Sequence, residues 1–262
     1  SQNNTDQIEK LTISAVEKAE SSKEDADLIA KVVAVASDDL VNKGVEEVSK
    51  NSTDENQTLS AQVLKAIVDI DSDKIEIIND DVKDTMIKQT IESAQNQQEG
   101  TGVQVSEDMT SIVSDIIVNT DTETGSKMIE ELNNSAADKD NDLSLKVISD
   151  ISEKDTTKLN VLSENNKEQI EKLTETAIKN ADASEESAEL IAKVVAVSSD
   201  ELVNKVVEEV SKSSTEEKQT LSAQVMKSIV ETNPEKIETL SYKNKETIIN
   251  QTIEAAKNQA EN

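Results

Sequence analysis

The sequence predicts an all-α fold, a helical repeat array arranged as a solenoid or as stacked helical bundles. Three observations carry that prediction. The stretch Leu28 to Val48, LIAKVVAVASDDLVNKGVEEV, returns nearly letter for letter at Leu190 to Val210 as LIAKVVAVSSDELVNKVVEEV. At a constant offset of 162, residues 8–97 and 170–259 match without a gap at roughly three positions in five. Between them lies a fainter copy in which Ile112, Val113, Ile116 and Ile117 take the register of Leu28, Ile29, Val32 and Val33, followed by Met128, Ile129 and Leu132. Apolar residues recur at spacings of three and four in all three copies, the period of a helix face. Self-similarity at a fixed period governs the architecture ahead of any local reading.

Residues 1–21 read as one orphan helix, Thr5 to Glu20, with Ile8, Leu11, Ala15, Val16 and Ala19 on a face. Its NTDQIEKLT matches NNKEQIEKLT at the end of the second copy, so it is equivalent to the last helix of a module. Module 1, residues 22–98, is expected to form five short helices. Small polar residues announce them, because a serine oxygen accepts the orphan N–H groups of a first turn. Ser22 opens the first helix, expected to bury Leu28, Ile29, Val32, Val33 and Ala36. Ser37 opens the second, with Leu40, Val41, Val45 and Val48 inward. Ser52 and Glu55 make a capping box before the third, with Leu59, Val63, Ile67 and Ile70. A short fourth carries Ile75 and Ile78, and a fifth, over about 82–97, carries Met86, Ile87, Thr90, Ile91 and Ala94.

Residues 99–105, EGTGVQV, hold two of the four glycines and are expected to be a flexible joint, the first place a protease would cut. Module 2, residues 106–183, opens at Ser106 and closes with a helix from Asn165 to Ala181 that leads into the Ser184 cap. Module 3, residues 184–262, repeats the capping box as Ser214 and Glu217. Its fourth helix places Pro234, the only proline, after Asn233, where a missing N–H costs nothing.

Composition narrows the function. Fifty-five acidic residues against 27 lysines give a net charge of -28, which argues against nucleic acid and anionic membrane surfaces. No apolar run approaches the roughly 20 residues that span a bilayer, and no membrane insertion is expected. Leu, Ile and Val total 64 with Tyr242 the sole aromatic, so stability must accumulate from many modest aliphatic contacts, each worth about 1.5–3 kcal/mol. The chain has no Cys, His or Arg, which removes disulfides and the common nucleophile and base pairs. No glycine-rich phosphate loop or dinucleotide fingerprint is present. The chain is therefore expected not to be an enzyme, to have no small-molecule substrate, and to need no cofactor.

Two acidic runs invite a calcium reading. Asp69, Asp71, Asp73, Glu76 and Asp80 lack the turn glycine, Lys74 standing in its place, and Asp138, Asp140 and Asp142 lack the glycine and the closing carboxylate. Both read as carboxylates at helix junctions, leaving only diffuse binding of calcium or other cations to the acidic surface. The restricted alphabet, rich in Ser, Thr, Asn, Gln and acids, resembles that of abundant secreted structural proteins, which implies an extracellular or cell-surface setting. Repetition supplies equivalent surfaces rather than one asymmetric site. The expectation is a structural homo-polymer, a filament, tube or surface layer, joined head to tail through Ile8, Leu11 and Val16 of one copy and Ile248, Ile249 and Ile253 of the next. The alternative is a monomeric helical-repeat scaffold or adhesin stalk that binds other proteins.

Overall fold

The computed structural model describes residues 7, 10, 11, 13–16, 18, 19, 23–52, 58–101, 108–136, 143–180, 184–197, 199–212 and 216–261. Most of these residues are helical, and no strand occurs among them. The first helix, α1, is helical at its described positions between 7 and 16. Copy one continues as α2 (Lys23–Val35), α3 (Asp38–Asn51), α4 (Thr58–Asp71), the 3-10 turn η1 (Ser72–Ile75) and α5 (Asp80–Gln98). Copy two supplies α6 (Met109–Asn119), α7 (Thr122–Ala136), α8 (Leu143–Lys154), α9 (Thr156–Asn165) and α10 (Lys167–Asn180). Copy three supplies α11 (Glu185–Val197), α12 (Asp200–Val210), α13 (Glu216–Thr232), α14 (Glu235–Thr239) and α15 (Tyr242–Glu261). The chain forms two compact units, Ser1–Ser135 and Ala136–Asn262. Compact units and sequence copies therefore divide the chain differently, since the boundary falls inside copy two.

In the first unit α4 is the hub. Helices α2, α5 and α6 pack on it, and Leu59, Val63, Leu64 and Ile67 are all buried. The expected faces of α3 and α5 are the observed ones: Leu40, Val41, Val45 and Val48, then Met86, Ile87, Thr90, Ile91 and Ala94, are buried. Helix α2 differs. It buries Ala26, Ile29, Ala30 and Val33, while Leu28 is 60% exposed and Val32 is half-buried. The i, i+3, i+4, i+7 stripe with two alanines lets α2 approach α4 closely, and Leu28 falls on its shoulder. Ile70 also turns outward, because α4 ends one residue later and the chain swings into η1.

Several caps differ from expectation. Ser52 closes α3: its Oγ donates to the Val48 carbonyl at 2.9 Å and accepts from Ser60 Oγ at 2.9 Å. Ser22, Glu55, Ser106 and Ser214 lie outside the described residues. Ser184 caps α11, accepting from the Ser187 N–H at 3.1 Å. Aspartates cap copy two: Asp108 accepts from Thr110 N at 3.0 Å and Asp155 from Lys158 N at 2.9 Å. Of the expected joint, Glu99 to Thr101 form a helix stop, with Gly100 at φ +66 and Thr101 N donating to the Asn96 carbonyl at 2.8 Å.

Asp121 caps α7 with both oxygens, accepting from Thr124 N and Thr124 Oγ1 at 2.8 Å each. Burial pushes this carboxyl up, but the Thr124 backbone and hydroxyl, the Glu123 backbone and the charge of Lys83 outweigh it and hold it below the ordinary range. Asp121→Ala should cost about 1 kcal/mol at neutral pH. A depressed carboxylate stabilises above its unfolded pKa and loses that contribution as pH falls through its folded pKa. The gap between wild type and variant, read by urea unfolding, should accordingly close as pH drops below the ordinary carboxylate range.

Two amide clamps recur at the offset of 162. In copy one, Asn42 Nδ2 donates to the Ile77 carbonyl at 2.9 Å and Asn42 Oδ1 accepts from Asn79 N at 2.6 Å. In copy three, Asn204 Nδ2 donates to the Thr239 carbonyl at 3.0 Å and its Oδ1 accepts from Ser241 N at 2.7 Å. Gln89 Nε2 reaches the Ser49 carbonyl at 2.9 Å, and Gln251 Nε2 the Ser211 carbonyl at 2.7 Å. The asparagine clamp fastens the second helix of a copy to the turn before its fifth, and the glutamine clamp fastens the end of the second helix to the fifth helix itself. Copy two has Ser126 in the register of Asn42, and there the fourth helix, α9, runs on to Asn165 instead of turning at Ser163.

Candidate interaction surfaces

The six residues expected at an assembly contact separate by burial. Ile8 lies outside the described residues. Val16 and Ile248 are 0% exposed, so they belong to the chain's own core and are removed from any external contact. Leu11 is 70% exposed, Ile249 52% and Ile253 47%. Ile248 and Ala255, seven apart, form the inner face of α15 against α12 and α13. Ile249 and Ile253 sit one and five residues after Ile248, around the helix on its outer side. On α1, the Val16 carbonyl accepts from Asn51 Nδ2 of α3 at 3.4 Å, which places that end against the second helix of copy one.

The offset of 162 shows what this outer stripe is. Ile249, Ile253 and Ala256 correspond to Ile87, Ile91 and Ala94 of α5, which are 2%, 0% and 0% exposed. The neighbours of α5 include α3 and α4, the counterparts of α12 and α13, but also α6, the first helix of the following copy. On α13, the half-buried Ala223 and Met226 and the exposed Val230 correspond to Ala61, Leu64 and Val68 of α4, all buried, and α4 also packs on α6. Helices α13 and α15 pack together, so the six residues lie on neighbouring helices of one apolar face. Its counterpart in copy one is covered by a helix; here it is half-exposed or exposed.

The opposite side of the last-helix type is exposed on α1. Leu11 stands in the register of Leu173 on α10, which is 0% exposed, and the exposed Ala15 stands in that of the buried Ser93 on α5. Charge sharpens the picture. In α15, Lys243, Lys245 and Lys257 balance Glu246, Glu254 and Glu261, a neutral helix in a chain of net charge -28. Tyr242 replaces Asp80 at its start and is 84% exposed.

The acidic run at the end of α4 is not gathered. Asp69 is paired with Lys65 Nζ at 2.6 Å, and Asp80 faces Lys83 at 3.5 Å and Lys127 at 3.8 Å. Among the described residues no three His, Cys, Asp or Glu side chains come together as a metal would need, and no helix is long and apolar enough to cross a membrane. Asp138, Asp140 and Asp142 lie outside the described residues. Compared with known proteins, the chain matches no family model and no curated protein.

Proposed function

We propose that this chain is a non-catalytic structural subunit of an extracellular or cell-surface filament, tube or layer, joined by helix packing between copies. The observation that carries the reading is the α13–α15 face, half-exposed or exposed here although its copy-one counterpart is buried beneath the helix that follows it. The exposed Leu11 and Ala15 of α1 form a second aliphatic surface that such a face can meet. The contact joins Ile249, Ile253 and Ala256 of one copy to Leu11 and Ala15 of the next, a heterologous pairing that does not close on itself. The near-neutral α15 is where two strongly acidic copies approach with least repulsion. Added salt, which shortens the screening length to about 10 Å at 0.1 M, or calcium should therefore promote growth.

Light scattering and electron microscopy across a salt series test this directly. Wild type should polymerise as salt rises, and an Ile249→Asp, Ile253→Asp double variant of unchanged circular dichroism should stay monomeric at every salt concentration. A wild type that remains monomeric, or a double variant that assembles equally well, removes the proposal. The exposed Tyr242 at the rim of the face favours a second reading, since aromatics anchor protein interfaces. A monomeric chain that holds one heterologous protein in fixed stoichiometry, lost in the same double variant, would establish the scaffold instead.

A further inference from the structure

Joining α15 of one copy to α1 of the next leaves the apolar side of α13 uncovered. Inside the chain the equivalent side is covered twice, each time by one type of helix. The first helix of a copy packs on the third helix of the copy before it, α6 on α4 and α11 on α8. At both junctions the third helix is closed: Ala61, Leu64 and Val68 of α4, and Leu145, Ile148 and Ser152 of α8, are all buried. The first helix is closed as well. Ile112 and Ile116 of α6 are buried, as is Val194 of α11, with Leu190 half-buried. The same register is open on the third helix of copy three and the first helix of copy one. Ala223 and Met226 of α13 are half-buried and Val230 is exposed, while on α2 Val32 is half-buried and Leu28 exposed.

We infer that the outer side of α2 receives α13 of a second copy of this chain. The inference rests on the assembly reading and names a surface that the reading left open. Leu28 and Val32, four apart on α2, meet Met226 and Val230, four apart on α13. Charge selects the same pairing. At the second junction Lys193 of α11 forms an ion pair with Glu153 of α8. Their counterparts are Lys31 of α2 and Glu231 of α13, both exposed and both without an ion pair or hydrogen bond among the described residues. Docking α2 on α13 restores that pair between copies. The first junction uses a different one, Lys65 with Asp115 at 3.4 Å, and it has no equivalent here, because Lys227 and Lys31 stand in the two places. Two chains of net charge -28 repel each other, so a lysine aligned with a glutamate fixes the register in which they approach.

A charge swap in the full chain tests the pairing, with the critical concentration for assembly read by sedimentation at the lowest salt that supports wild-type polymer. Lys31→Glu and Glu231→Lys should each raise it about two- to fivefold, the worth of an exposed ion pair, and the two combined should return it to the wild-type value. Leu28→Asp, at a position already exposed in the single chain, should raise it about tenfold or more, because assembly would bury an unpaired carboxylate. Thr85→Asp, an equal charge change at an exposed position of α5, should leave it near wild type. Should Leu28→Asp lose helix by circular dichroism, the charge swap decides alone. A combined swap no better than either single variant, or Leu28→Asp and Thr85→Asp acting alike, overturns α2 as the receiver. If the Ile249→Asp, Ile253→Asp chain still fails to assemble in that case, the polymer reading stands without this inference. A wild type that stays monomeric at every salt concentration removes both.

Discussion

Ile67→Ala should destabilise the chain by about 2–5 kcal/mol, against a typical domain stability of about 5–15 kcal/mol. Ile67 is 1% exposed on α4, the helix on which α2, α5 and α6 pack. Truncation removes apolar contacts and leaves a cavity between helices that share few large side chains to refill it. Phe and Trp are absent from the chain, so no large ring can move in. Ile70→Ala, three residues on, is the matched control: at 44% exposure it should change stability little. Urea unfolding of both variants, followed by far-UV circular dichroism, compares them on one scale. Equal costs at the two positions would mean that α4 is not the hub.

Asn204→Ala should cost about 1–3 kcal/mol, more than a surface asparagine, because two backbone groups lose their partner at once. The Thr239 carbonyl and the Ser241 N–H are both held by this one amide, and Asn244 Nδ2 donates to the Asn204 carbonyl at 2.9 Å beside it. Asn204→Asp separates hydrogen bonding from shape. It keeps an acceptor for Ser241 N but sets a carboxylate oxygen against the Thr239 carbonyl, so at neutral pH it should be at least as damaging as alanine. Protonation would restore a donor, and the cost of Asn204→Asp should shrink in mild acid. Thermal unfolding of the two variants across that pH range checks the order. An aspartate variant as stable as wild type at neutral pH would show that the amide does not hold the turn.

The all-α class and most of the core were legible because helices with one apolar stripe allow one answer. Helices α3 and α5 are of that kind, and each of their expected inward residues is buried. Helix α2 carries two interleaved stripes, one through Leu28 and Val32 and one through Ala26, Ile29, Ala30 and Val33. Hydrophobicity favours the larger side chains, but close approach to α4 selects the smaller ones. The aspartate caps at Asp108, Asp121 and Asp155 follow the same chemistry as serine caps, so their side chains carry the same local signal. The amide clamps had no local signature, since Asn42 and Asn204 bind backbone 35 to 37 residues away. For the proposed assembly contact, the sequence pattern could not choose between the sides of a helix. Ile248 and Ile249 are adjacent and equally apolar, and only the packing of α15 on α12 and α13 decides which one faces out.

Tyr242 gives the chain an optical property of its own. With no tryptophan and a single tyrosine, all ultraviolet emission of the protein originates at the first residue of α15, in a ring that is 84% open to water. Unfolding changes the surroundings of an already hydrated ring only slightly, so emission intensity is a poor reporter of the core. Rotational depolarisation of the same ring, by contrast, reports the ring's own ps–ns motion and falls if another surface covers it. The protein therefore carries an intrinsic probe beside the face in question, and covering of that face can be timed without attaching a dye.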